Sequence, residues 1–369
     1  MAVISDYLDW RGDLTFEASP LNEVDNYIIA MIGCPDLTGI VPADEIEIGI
    51  KDAIDAYREQ CGDEIRSLGV ISSPYVLPCL FRLPETVRFG SLKLTGFVNR
   101  IDIGSTEQFS ALTVRLPDGT YYVSFRGTDD TIVAWKENFH MAIMDAIPAQ
   151  EDARRYLEWA MEAYEGPFLV GGHSKGGNLA VYASAMVPEE SQGRILRVYN
   201  FDGPGFQDAF LENEGYRRIL PKLQSILPQH SIVDMLLSQG KVPDIVKSNS
   251  FGVGAHDGFT WQVLGTKFVR LPSLSFSSAM FSSAMAETLS EMDQAERRTF
   301  IDEFFDIMTS TGAFTLTDLT EVRLRTAVEM ANSLRRDKEV QKFALKILTN
   351  SLADFKSYVE EKKNESSHA

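Results

Sequence analysis

The sequence has no apolar run long enough to cross a bilayer: nowhere in its 369 residues do about 18 uninterrupted apolar side chains occur. Asp6, Asp9, Arg11 and Asp13 also interrupt the N-terminus before a stretch of signal-peptide length can form. The expectation is a cytoplasmic protein without stable membrane insertion. Cysteine is scarce. Cys34, Cys61 and Cys79 make an odd number with no Cys-x-x-Cys pair and no metal-type spacing, which argues against a disulfide framework or a zinc site. The thiols are expected to be reduced, with at least two in the core, and nothing near Cys34 in sequence would stabilise a thiolate. Positive charge is the minority sign: 35 basic against 53 acidic side chains leave a formal net charge of −18, which repels nucleic acid and anionic surfaces. The densest basic stretches, Arg217–Arg218 and Arg335–Arg336, lie in helix-like sequence and read as solvated faces. Nucleic acid is therefore not an expected partner. Internal repeats and low-complexity tracts are missing too, and only the tail from about residue 362 reads as disordered.

What is present is core material, with 44% hydrophobic against 24% charged residues, enough for an enzyme-sized globular fold. Helical periodicity is expected over 22–33 and 43–60, followed by a stretch interrupted by Pro74, Pro78 and Pro84. Strands are expected at Leu92–Ile103, Phe109–Leu116 and Tyr121–Phe125, the last two joined by the hairpin turn Pro117-Asp118-Gly119. Beyond these, the helix Gln150–Tyr164 alternates with apolar runs at 167–171, Ile195–Phe201, Leu223–Leu227 and Lys267–Leu271. That alternation predicts an α/β fold with a mostly parallel central sheet covered by helices. The division expected is a lead-in region, 1–90, packed on a core, 91–272, and a helical region, 273–369, whose opening run Leu274–Phe281 reads as helix packing or, alternatively, a lid.

The chemistry is carried first by Gly172-His173-Ser174-Lys175-Gly176, set between an apolar strand and a helix-like segment. A serine nucleophile needs its hydroxyl thrust clear of the backbone, and a strand-to-helix elbow does this with a strained turn that tolerates only small neighbours two residues to either side. The same turn directs the N–H of Lys175 and the positive end of the following helix at the place where an oxyanion would form. The bland reading is a glycine-rich turn or a phosphate cradle. A second strand end, Phe125-Arg126-Gly127-Thr128, offers the N–H of Thr128 as the other oxyanion donor; alone it would be a strand terminus with Arg126 facing solvent.

Together with Trp135, Asn138-Phe139 and Gly177-Asn178-Leu179-Ala180, these segments resemble the core of the fungal-type class 3 lipases and, more closely, a bacterial group of lipase-like α/β-hydrolases of unassigned function. That group shares openings like Tyr7-Leu8-Asp9-Trp10-Arg11-Gly12-Asp13-Leu14 and segments like Phe201-Asp202-Gly203-Pro204-Gly205-Phe206 and Ser231-Ile232-Val233. The resemblance implies an α/β-hydrolase fold, a Ser-acid-His triad and ester or acyl chemistry with no metal or organic cofactor, and it implies no particular substrate; a small ester or lipid-like molecule is the partner expected.

In the triad order Ser, acid, His, the histidine is expected to be His256, in the loop Gly252–Phe259, ahead of His230; His368 lies in the polar tail. Asp202, in Asp202-Gly203-Pro204, is preferred as the acid, with Asp234 the alternative and Asp257 third; the residue that aligns best with the class 3 aspartate is Ser231. The rival reading of Asp202 is a turn-former. Lys175 replaces the leucine common in lipases and reads as a solvated side chain, or, pointed into the cleft, as a contact for an anionic substrate group. The function expected is a serine esterase or lipase acting through Ser174; the alternatives are a catalytically silent scaffold that binds a ligand and an interaction module that docks a protein.

Overall fold

Five short apolar runs lie side by side in parallel: β4 (Tyr121–Phe125), β5 (Phe168–His173), β6 (Ile195–Phe201), β7 (Leu223–Pro228) and β8 (Asp244–Val246). Strands buried on both faces read as near-continuous hydrophobic runs, as β4 and β5 do most clearly. The computed structural model describes residues 1–61, 73–102, 104, 106–128, 136–138, 140–141, 144–231 and 237–275. Ahead of β4, β2 (Lys93–Asp102) and β3 (Glu107–Arg115) form the expected antiparallel meander, with β1 (Ile48–Gly49) on the edge. The far edge is β11 (Arg270–Leu271), antiparallel to β8. Among the described residues the sheet order is β1-β2-β3-β4-β5-β6-β7-β8-β11.

Two expectations from periodicity are corrected. The helix expected over 43–60 starts only at Ile50, as α3 (Ile50–Cys61). Ahead of it, the Asp44 carboxylate accepts the N–H of Ile46 at 3.1 Å and its carbonyl accepts Gly96 N–H, so a side-chain-stabilised turn and strand pairing outcompete the first helical turns. The single strand expected at Lys267–Leu271 is two. Lys267–Phe268 (β10) pairs with Val263–Leu264 (β9) in a separate hairpin, and at Val269 the chain crosses to the main sheet, its N–H going to Gln262 and its carbonyl accepting Lys247 N–H.

Helices α5 (Pro148–Ala163) and α6 (Lys175–Met186) cover one face of the sheet, and α2 (Glu23–Ala30), buried at all eight positions, covers the other. Asn22 caps α2 by accepting the N–H groups of Val24 and Asp25. Asp25 is itself paired with Arg88, both side chains fully buried at 2.5 Å, and the guanidinium also donates to the carbonyls of Leu14 and Ser19. Hydrogen-bonding every arm of a buried charge is what makes its burial tolerable. The pair fixes α2, and α2 places Tyr27 beneath the carboxyl ends of β5 and β6, with ring contacts of 5.7 Å to His173 and 5.2 Å to Phe201. The thiols follow the same packing: Cys79 is buried, while Cys34 and Cys61 are half-buried against the core. The helical region expected beyond Ser275, including the packing or lid segment, lies outside the described residues. Among the described residues no helix is long and apolar enough to cross a membrane.

Candidate active site

The turn between β5 and α6 carries Ser174 at φ 58°, ψ −132°, a backbone conformation that β-carbon sterics disfavour. What holds it there is close packing on both sides. A Cβ added at Gly172 would stand 2.4 Å from Gly176, and one at Gly176 would stand 2.0 Å from the carbonyl oxygen of Phe125, so strand and helix approach as only glycine permits. Ser174 N–H donates to Phe201 O at 2.9 Å, which ties the elbow to β6.

The end of β6 supplies the next group. Asp202 is fully buried, has φ 50°, and donates its N–H to Ile226 O on β7. One carboxylate oxygen accepts the Ser231 hydroxyl at 2.6 Å and the other lies 2.6 Å from His256 Nδ1. A carboxylate can only accept, so Nδ1 carries a proton; in the neutral ring this leaves Nε2 with its lone pair, the tautomer a general base requires. His256 closes the 3-10 turn Gly252–His256, followed directly by another, Gly258–Thr260, whose first N–H donates to the hydroxyl of Tyr27. The loop is thereby seated on α2.

His173, immediately before Ser174, is the second support of that loop. Its Nε2 donates to the carbonyl of His256 at 2.7 Å, and the two rings lie 4.4 Å apart. Burial, reinforced by the neighbouring His256, holds its pKa well below the usual 6.5, so it is a neutral donor. Replacing His173 with phenylalanine keeps the ring but leaves the His256 carbonyl unpaired, and kcat/KM is expected to fall about tenfold, the cost of one lost buried hydrogen bond; His173→Gln, which retains a donor, should lose less. The folded-state pKa lies below the unfolded value, so the unfolded chain takes up the proton first as pH falls. The contribution of His173 to stability is complete above about pH 6.5 and is lost below it, with a slope of at most about 1.4 kcal/mol per pH unit. Urea unfolding at pH 7.5 and 5.5 should show that slope shallower in His173→Phe than in the wild type; equal slopes would refute the assignment.

Ser174 and His256 line one cavity of about 640 Å³ together with Gly127 and Thr128, which stand at the carboxyl end of β4. Ala30, Met31, Val76 and Ile101 make part of its wall apolar, while Asp36, Asn99 and Arg126 make another part polar. Arg126 is not solvent-facing: it is half-buried and donates to Asn99 Oδ1 at 2.8 Å and to the Cys34 carbonyl. Burial pushes the Cys34 thiol up to about 12, against a reactive role for it. A concavity of about 740 Å³ lies at the opposite end of the sheet, bordered by Pro117, Leu169, Arg197 and Gln224 at the amino ends of the parallel strands. Open α/β sheets bind their ligands outside the carboxyl ends, where Ser174 and His256 are.

The structure thus brings Ser174, Asp202, His256 and Thr128 together. Lys175 is a correction. Its side chain is fully buried rather than solvated, and it reaches neither solvent nor the cavity, because the first turn of α6 faces β3 and the segment 136–138. There Nζ donates to Glu137 Oε2 at 2.8 Å and to Gln108 O at 2.5 Å. His230 is not brought in: its Nδ1 faces Ser275 Oγ at 2.9 Å, its Nε2 faces Gln229, and its ring packs on Phe251. Asp257 accepts from Ser73 and from Phe259 N–H, and burial raises its pKa. Asp234, Trp135, Phe139 and His368 lie outside the described residues. Sequence reasoning missed Glu137, which carries no local signal, and it did not anticipate that the Ser231 hydroxyl would donate to Asp202.

A profile of the family described as Mbeg1-like matches residues 83–306. Among solved structures, the M37 lipase is similar at 14% identity and a TM-score of 0.36, over 57% of this chain and 73% of that one. The lipase of Rhizopus microsporus var. chinensis is similar at 15% and 0.31, over 61% and 90%. The Rhizomucor miehei lipase in its propeptide complex is similar at 16% and 0.31, over 43% of this chain and 57% of that one, so the match spans less than two thirds of that lipase. Likenesses at these scores carry no argument about chemistry. No curated protein matches the chain.

Proposed function

The chain belongs to the Mbeg1-like family and has a lipase-like α/β-hydrolase fold, and on that premise we propose that it is a serine hydrolase of the lipase or esterase type, cleaving a carboxylic ester or related acyl bond through an acyl-enzyme on Ser174. The observation that carries the reading is the hydrogen bond from His256 Nδ1 to the buried Asp202 carboxylate, beside a serine held at an elbow. Histidine in a glycine-rich loop is common. Histidine with one nitrogen committed to a buried carboxylate and the other at a cavity shared with such a serine is what general-base chemistry needs.

In this proposal Nε2 of His256 takes the Ser174 proton as the hydroxyl oxygen attacks the acyl carbonyl. The tetrahedral oxyanion is held by the N–H groups of Thr128 and Lys175; the latter, first in its helix, has no acceptor within the helix. His256 then returns the proton to the leaving alkoxide, and water releases the acyl group by the same steps. The proposal keeps the cytoplasmic location and the small ester or lipid-like substrate expected from the sequence, without nucleic acid or stable membrane insertion. It also keeps the division into a lead-in region 1–90, a core 91–272 and a C-terminal region 273–369. The silent-scaffold alternative drew its strength from an unassigned acid, and the contact between Asp202 and His256 favours the enzyme.

The test is a fluorophosphonate, which phosphonylates only an activated serine. Peptide mass spectrometry is expected to find the adduct on Ser174. A folded protein that takes up no adduct, or carries it elsewhere, sinks the proposal.

A further inference from the structure

We infer that the buried ion pair between Lys175 and Glu137 is a positioning device that sets the spacing between the two sides of the oxyanion site; this rests on the serine-hydrolase reading. Lys175 contributes one proposed donor through its N–H, and its own side chain runs down to Glu137. The next residue, Asn138, donates from Nδ2 to the Thr128 hydroxyl at 2.6 Å, and Thr128 carries the other proposed donor. Both sides of the site are therefore moored to the same dipeptide, Glu137-Asn138. That dipeptide is in turn fixed to its surroundings. Glu137 Oε2 accepts the N–H of Gln108 at 3.1 Å as well as the lysine, and its Oε1 accepts Ala149 N–H at 3.2 Å, so the carboxylate joins the first turns of α5 and α6 to β3.

Stability alone is a poor reason for such a pair. Both side chains are fully buried, and removing two charges from water costs enough that an apolar residue of similar volume would serve a core position as well or better. Here the charge is spent on the residue directly after the nucleophile. The two sides also nearly touch: a Cβ on Gly127 would lie 3.2 Å from Ser174 Cβ and 2.7 Å from the His173 carbonyl. With so little room, a small rotation of α6 about its first turn changes the distance between donors and oxyanion, and donors act only when held at hydrogen-bonding distance from where charge develops.

The test uses the full-length protein and a fluorophosphonate, whose phosphoryl oxygen takes the oxyanion position, with KI and kinact measured separately and thermal unfolding alongside. Lys175→Met alone leaves Glu137 buried without its partner and is expected to melt well below the wild type. Adding Glu137→Gln removes that stranded charge and keeps one carbonyl oxygen to accept from Gln108 or Ala149, so part of the melting temperature should return. The kinact of this double variant is nevertheless expected to stay about 100-fold below wild type with KI unchanged, the signature of lost transition-state donors rather than lost binding. Asn138→Ala, which cuts the other mooring without touching a buried charge, should lower kinact about tenfold at a near wild-type melting temperature, the scale of one lost hydrogen bond. Either of these two variants, folded and reacting at the wild-type rate, would overturn the inference and leave the hydrolase reading intact. A wild-type protein that does not react at all would overturn both.

Discussion

A Ser174→Gly variant is expected to lose turnover by about six orders of magnitude, the scale on which removing a triad nucleophile acts, and yet to melt higher than the wild type. The first effect comes from the lost hydroxyl and the second from the backbone that holds it. Ser174 sits at φ 58°, ψ −132°, outside the small left-handed well, and residues so held cost of order 1–3 kcal/mol. Glycine occupies that region without a Cβ clash, against about 0.5–1 kcal/mol of extra chain entropy lost on folding. The balance is a gain of about 1 kcal/mol, or roughly 1–2 °C for a chain of 369 residues. Hydrolysis of p-nitrophenyl butyrate and thermal unfolding of the same preparations would check both halves. If position 174 has no catalytic duty, reactivity is unchanged whatever the melting temperature; if its backbone is unstrained, the variant melts no higher than the wild type.

The elbow at Ser174 was legible in the sequence because its requirements are local: a strand, a helix and glycines two residues to either side are all contained within Phe168–Met186. The expected parallel strands were legible for a similar reason, since a run buried on both faces announces itself by composition. Three-residue β8 did not, being too short for any periodicity and held by pairing to β7 and β11 rather than by its own sequence. The residues proposed as partners of Ser174 were legible only as types. Asp202 and His256 are 54 residues apart, and nothing in either segment states that β6 and the loop after β8 end at the same point; chain order and resemblance chose them. Lys175 was misread for an instructive reason. An amphipathic rule assigns lysine to solvent unless a counter-charge is known, and the counter-charge, Glu137, comes from 38 residues upstream on another segment. Buried ion pairs such as this one and Arg88–Asp25 are tertiary facts, invisible to any local window.

The second large effect expected is at Asp202, where asparagine should lower kcat by about 10⁴ with KM unchanged. Asparagine is the replacement that isolates the chemistry: it matches the carboxylate in shape and tolerates the positive φ of 50° at this position, so the backbone has no reason to move. The Ser231 hydroxyl, which donates to one carboxylate oxygen at 2.6 Å, will select the amide orientation by keeping that oxygen as its acceptor. The amide NH₂ must then face His256 Nδ1, which can meet it only as an acceptor, and the ring proton moves to Nε2. A histidine protonated at Nε2 cannot take the proton of Ser174, so the variant should fold and bind like the wild type and fail at the first step. Asp234→Asn provides the comparison, because it changes the alternative acid by the same chemistry. If it costs more than Asp202→Asn in p-nitrophenyl butyrate hydrolysis, the acid has been misassigned. If Asp202→Asn dominates, the role of Ser231 becomes testable too. Added to Asp202→Asn, the change Ser231→Ala frees the amide to rotate and present its oxygen to Nδ1, and it should recover part of the lost turnover; with Asp202 intact, the same change removes a supporting hydrogen bond and can only reduce it.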